Sequence, residues 1–175
     1  MNRIRGRTVL VTGASAGIGR ACARAFAERK ARLVLLARQR DRLEALSGDL
    51  GDAHGVPIRH FALDVRDRSA VETLADDLRR ADFMPDVLVN NAGKARGLDV
   101  LQEGDPDDWD EMIDTNVKGL LYVSRAFVPH MVERNRGHVV NIGSIAGRWT
   151  YPRGNVYCGT KFAVRGISEG LNMDL

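Results

Sequence analysis

The feature that most constrains this chain is a repeated alternation, in which short apolar runs are each followed by a segment whose apolar residues recur at helical spacing. The runs are Thr8-Val9-Leu10-Val11, Leu33-Val34-Leu35-Leu36, an alternating stretch from Ile58 to Leu63, Asp86-Val87-Leu88-Val89-Asn90 and His138-Val139-Val140-Asn141-Ile142. Between them, 18–28, 38–50, 69–80 and 107–132 each present one apolar stripe, and a last helix runs from Asn155 to the end. Strands that are apolar on both faces need cover on both faces, and parallel strands need helices as crossovers. The pattern predicts an α/β fold, a doubly wound parallel sheet with helices on both faces.

The chain has 175 residues, enough to bury a core, and it carries no internal repeat, low-complexity tract or linker. A single domain over 1–175 is expected. Its basic residues are scattered among acidic ones at a net charge of +3, without the stripe that would follow a nucleic-acid backbone. No apolar run approaches the ~20 residues of a membrane span, and the segment after Met1-Asn2-Arg3-Ile4-Arg5 is too short for a secretory signal. A cytoplasmic location is the expectation. Cys22 and Cys158 lack CxxC spacing, and His54, His60, His130 and His138 share no ligand spacing, so no metal site is expected.

Chemistry enters at Thr12-Gly13-Ala14-Ser15-Ala16-Gly17-Ile18-Gly19, which joins the first strand to the first helix. Glycines there permit a tight turn and let backbone amides approach a pyrophosphate, to which the helix N-terminus adds partial positive charge. A glycine-rich turn alone would be weak, but its place directly after the first strand strengthens it. The spacing is GxxxGxG, not GxGxxG. Where an NAD enzyme places a carboxylate against the ribose 2′-hydroxyl, at the end of the second strand, this chain has Ala37 and Arg38. No acid repels a 2′-phosphate there, and a guanidinium can pair with one, which favours NADP. The other reading of Arg38 is the exposed start of the next helix.

Tyr157 and Lys161 stand at i and i+4 of the last helix and therefore share a face. A free phenol is a sluggish acid at neutral pH, but a cation ~5 Å away favours the phenolate by roughly 3 kcal/mol at an effective dielectric near 20, on the order of two pKa units. Such a pair arises by chance in many helices. Here it is accompanied by Ser144, which closes the fifth strand, by Asn90-Asn91-Ala92-Gly93, which closes the fourth, and by Asn116, a polar residue inside the apolar pattern of the long helix.

TGASAGIG, Asn-Asn-Ala-Gly, Asn116, Ser144 and the Tyr157/Lys161 pair, in this order, resemble the short-chain dehydrogenase/reductase family over essentially the whole chain. The wording of 112–120 and 141–147 is similar to its NADP-dependent 3-hydroxy acid (serine) dehydrogenase branch. The resemblance implies a Rossmann-like domain that binds NADP through Gly13, Ser15, Gly17, Ile18, Gly19, Arg38, Asp64, Val65, Asn91, Ala92 and Gly93, together with Tyr157 and Lys161. It implies that Tyr157 exchanges a proton with a carbonyl or alcohol substrate, that Lys161 holds the nicotinamide ribose and tunes Tyr157, that Ser144 hydrogen-bonds the substrate oxygen and that Asn116 keeps a water in the proton relay. It further implies a homodimer or homotetramer built on the long helix and the tyrosine helix, whose Phe127, Phe162 and Ile167 exceed the apolar surface one sheet face needs; the other reading of that excess is core. Arg96, Arg148 and Arg153 are expected near the substrate opening, either to meet a carboxylate or as surface arginines.

The family continues well past the tyrosine helix, so a C-terminally truncated domain is expected, with its fifth strand as an exposed apolar edge. Two other functional readings stay open. One is a catalytically impaired NADP-binding module. The other is a nucleotide-sugar epimerase or dehydratase using a similar Tyr/Lys pair, which its usual TGxxGxxG loop disfavours.

Overall fold

Because side chains of a strand alternate between faces, a continuous apolar run feeds two cores at once. In strand β1 (Thr8–Thr12), Val9 and Val11 enter one cluster with Leu33 and Leu35 of β2 (Arg32–Ala37) and Val87 and Val89 of β4 (Val87–Asn90), whereas Leu10, Val34, Leu36 and Leu88 enter the other. The first cluster is capped by α1 (Gly17–Glu28) and α2 (Arg40–His54), and the second by α3 (Arg68–Arg80) and α5 (Leu120–Glu133). These features come from a computed structural model that describes residues 3–175. With β3 (Ile58–Ala62) and β5 (His138–Asn141), the strands form one sheet in the order β3-β2-β1-β4-β5, every pair parallel.

That order places the site. The chain winds outward from β1 to β2 and β3, then returns to the other side of β1 for β4, so the connections leaving β1 and β4 diverge and open a crevice at their carboxyl ends. Register is set by apolar pairs across the centre, with Val9 opposite Leu33 and Val87, and Val11 opposite Leu35 and Val89.

Three elements depart from the sequence reading. The second helix passes the last apolar residue of its stripe and ends at Gly55, whose φ of 60° supplies the left-handed cap that stops it. The third begins a residue earlier than expected, because Asp67 caps it by accepting from the Ala70 N–H at 3.0 Å. The expected single long helix is α4 (Pro106–Ile113), a π-helical segment over Asp114–Gly119 and α5. Phe127, counted with the excess apolar surface, is wholly buried in the second core, while Phe162 of α6 (Asn155–Asp174) is 40% exposed. The β5 strand does lie at an edge of the sheet, partly covered.

Candidate active site

The walls of the crevice are tied together by one hydroxyl. Thr12 Oγ1 accepts from the main-chain N–H of Asn91 at 3.0 Å and of Ala92 at 2.9 Å, and donates to the Val89 carbonyl at 3.4 Å. Asn91 returns the tie, its Nδ2 donating to the carbonyls of Thr12 at 2.9 Å and Gly13 at 3.2 Å. The turn between strand and helix needs φ of 65° at Gly13 and 52° at Gly17, both in the left-handed region. Gly19 is needed for a different reason: a Cβ there would stand 2.3 Å from the Gly13 carbonyl oxygen. Among the described residues no side chain caps α1, and no acidic residue occupies its first turn.

The crevice is lined by Gly13, Ser15, Arg38, Asp64, Val65, Ala92 and Gly93, seven of the residues expected there, and by Lys94 and Thr115 as well. Gly17 and Ile18 are exposed at the start of α1, and Asn91 acts as a clamp behind the wall, so these stand beside the crevice. At the end of β2 no acid lines the wall, and Arg38 does. Burial works to raise the Asp64 carboxyl, but the Arg66 guanidinium, donating to both of its oxygens at 2.7 to 3.1 Å, outweighs this and holds it below the usual carboxylate range. A glycine turn with open amides, a shelf without side chains at Gly93 and a cation in place of an acid fit a dinucleotide carrying an extra phosphate.

At the other end, Asn116 and Lys161 converge on Gly93. A Cβ on Gly93 would meet Asn116 Oδ1 at 3.2 Å and Lys161 Nζ at 3.7 Å. Asn116 grips the Lys94 backbone twice, accepting from its N–H and donating to its carbonyl, both at 2.8 Å, and donates to Thr160 Oγ1 at 3.0 Å. Lys161 is buried, which pushes its ammonium below the ordinary lysine value, and its Nζ donates to the Ile142 carbonyl at 2.9 Å. Two further N–H donors remain on that nitrogen.

Ser144 shares a hollow with Lys161, Arg148 and Trp149, and its Oγ accepts from the Ala146 N–H at 3.1 Å as the cap of a short 3₁₀ turn, Ile145–Gly147. Tyr157 opens instead on the neighbouring hollow, with Tyr151, Trp109, Arg96 and Arg153. All three expected arginines therefore border one hollow or the other.

Several residues here escaped the sequence reading. Below the crevice a polar chain runs from the buried interior to a partly exposed face: Asn90 Nδ2 donates to Ser124 Oγ at 3.0 Å and to Asn141 Oδ1 at 2.9 Å, and Asn141 Nδ2 donates to Ser168 Oγ at 2.9 Å. The signal available was an asparagine at the end of each of two apolar strands, which register places side by side. The bonds of Thr12, within the glycine-rich loop, and of Thr160 were not legible, since their partners lie 79 and 44 residues away.

A family model described as short chain dehydrogenase matches residues 7–175, and the chain belongs to that family. Among its relatives, the NADP-dependent 3-hydroxy acid dehydrogenase YdfG of Salmonella typhi is 48% identical over 95% of this chain. Serine dehydrogenase from Escherichia coli is similar in structure, with a TM-score of 0.89 at 46% identity over 96% of this chain and 76% of that one. A closed form of serine dehydrogenase complexed with NADP+ is similar to the same degree, with a TM-score of 0.89 and 46% identity, covering 96% of this chain and 66% of that one. The chain spans 66% of the length of the YdfG relative. Among the described residues no helix is long and apolar enough to cross a membrane.

Proposed function

We propose that this chain is an NADP-dependent oxidoreductase acting on the CH–OH group of a small substrate, a 3-hydroxy acid, with a single NADP-binding domain over 1–175. The observation that carries the reading is the crevice itself, with Arg38 and no acid at its β2 wall and Asn116 with Lys161 at its far end. The activities named for the relatives agree with it.

The hydride would be the contribution of NADP(H) when the crevice holds it. Tyr157 gives a proton to the substrate oxygen in reduction and takes it back in oxidation. Ser144 donates a hydrogen bond to that oxygen. The two free donors of Lys161 hold the nicotinamide ribose and stabilise the Tyr157 phenolate, and Asn116 keeps a water in line behind Lys161. Gly13, Ser15, Gly17, Ile18 and Gly19 receive the pyrophosphate, Arg38 the 2′-phosphate, Asp64 and Val65 the adenine, and Asn91, Ala92 and Gly93 the nicotinamide half. The substrate carboxylate pairs with Arg96, Arg148 or Arg153, which border the two hollows.

A homodimer or homotetramer formed through the long helix and α6 is supported by Leu121 and Phe162, exposed at 42% and 40%. Cys22 and Cys158, both free thiols, are consistent with a cytoplasmic location.

Tyr157→Phe tests the chemistry. Turnover of NADPH with 3-oxo acids, or of NADP+ with 3-hydroxy acids, should fall by at least about 100-fold, while NADP+ binding by calorimetry stays within twofold. A phenylalanine variant that keeps its activity would overturn the assignment. NADP+ binding by the unaltered chain, without turnover on any acid of the panel, would point to a binding module instead.

A further inference from the structure

Glu111, one turn before the π segment, is the meeting point of the charges that border the adenosine end of the crevice. Its carboxylate pairs closely with Lys94 Nζ, accepts from Arg96 Nε at 2.9 Å, and lies 3.8 Å from Arg38 and 3.9 Å from Arg66. Arg38 and Lys94 both line the crevice. Of the other nearby acids, Asp64 is held chiefly by Arg66 at 2.7 Å while also feeling the Arg38 charge, and Asp108 lies 4.0 Å from Arg96; neither pairs with Lys94. Glu111 therefore reaches both crevice-lining cations from outside the wall.

We propose that Glu111 is a resident counter-ion that sets how strongly the crevice prefers NADP(H) to NAD(H), and that Lys94 opposes it. This rests on the NADP reading above. A 2′-phosphate on Arg38 and the Glu111 carboxylate are two anions drawn to one guanidinium, and each weakens the other's hold. Lys94 changes the balance because it neutralises Glu111 directly. Its main chain is fixed at both N–H and C=O by Asn116, which holds the residue at the wall. NAD(H) carries a neutral hydroxyl at the 2′ position where NADP(H) carries the phosphate and is otherwise the same, so it is an internal control.

Two anions flanking one guanidinium stand roughly 7 Å apart, and for a phosphate carrying nearly two charges in a wet dielectric the repulsion corresponds to roughly three- to tenfold in affinity. The experiment is calorimetric titration of the full chain with NADP+, NAD+, 2′,5′-ADP and 5′-AMP at one fixed ionic strength. Glu111→Gln should tighten NADP+ and 2′,5′-ADP three- to tenfold while NAD+ and 5′-AMP change less than twofold. Lys94→Met should do the reverse, loosening only the 2′-phosphorylated ligands.

Opposite signs in the two variants are what a purely structural role would not produce. An unchanged NADP+/NAD+ ratio in both variants, or a Glu111→Gln variant that loses NADP+ affinity, overturns the inference and leaves the NADP reading intact. If one variant does not fold, the ratio in the other decides. Failure of the unaltered chain to bind NADP+, or a preference for NAD+, overturns the NADP reading and the inference with it.

Discussion

Gly19 is the residue at which the least chemical change should do the most damage. A methyl group there meets the Gly13 carbonyl oxygen at 2.3 Å and Asn91 Nδ2 at 2.5 Å, both fixed by the knot around Thr12. Neither can yield without opening the turn. Gly19→Ala should destabilise the fold by about 1 to 3 kcal/mol, a usual cost of overpacking, and weaken 2′,5′-ADP binding, as read by urea unfolding and calorimetry. Gly17→Ala tests another cause, since open space surrounds that position and only its φ of 52° resists a side chain. At this scale the sequence was readable where a residue type carries its own chemistry, as at Arg38, Lys161 or the glycines. Thr12 and Asn90 stood inside recognised motifs, yet their bonding was not legible, because a hydroxyl or amide becomes informative only when the sheet brings its partner within 3 Å.

Among the elements, the π segment shows how tertiary contacts override local periodicity. The apolar periodicity from Asp107 to Val132 predicts one helix. The widened turn over Asp114–Gly119 instead leaves Asn116 bonded to Lys94 and Thr160, and brings Gly119 so close to Val65 that a Cβ would stand 2.6 Å from Val65 Cγ2. Periodicity records which residues are apolar and is blind to the needs of a backbone segment 22 residues away. Asn116→Ala leaves the Lys94 N–H and carbonyl unpaired, so a loss of about 1 to 3 kcal/mol is expected, measured by denaturant titration. Asn116→Asp, which keeps an acceptor for the N–H, should recover part of it. The extension of α2 to His54 was likewise missed, because the stripe ends at Leu50 while the stop signal sits at Gly55.

Across the whole molecule, the parallel sheet and its two helical layers followed from the sequence because every run and every stripe agreed with one architecture, whereas the strand order came only with the structure. The pole opposite the crevice was not legible in the sequence either. There Asp86 gathers Arg136 at 2.9 Å, Arg134 at 3.4 Å, Arg7 at 3.5 Å and the Thr8 N–H at 3.0 Å, joining β1, β4 and the end of α5. Burial acts to raise the Asp86 carboxyl, but the Thr8 N–H, Arg136 and Arg134 outweigh it and hold it below the usual value of 3.8. A depressed folded pKa means the unfolded chain binds the proton more readily, so this contribution is complete above the unfolded value near 3.8 and is lost as pH falls through the folded value. Asp86→Asn should lower stability at pH 7 by about 1 to 2 kcal/mol, and its unfolding free energy should decline less steeply than that of the unaltered chain below pH 4. Equal slopes in urea melts from pH 7 to pH 3 would exclude the arrangement.

The double grip of Asn116 on Lys94 has a mechanical corollary. One strap of backbone presents Lys94 to the crevice wall and is fastened by the very amide that converges with Lys161 on Gly93. The two regions of the wall therefore share one rigid part, and a displacement of Asn116 would be felt in both.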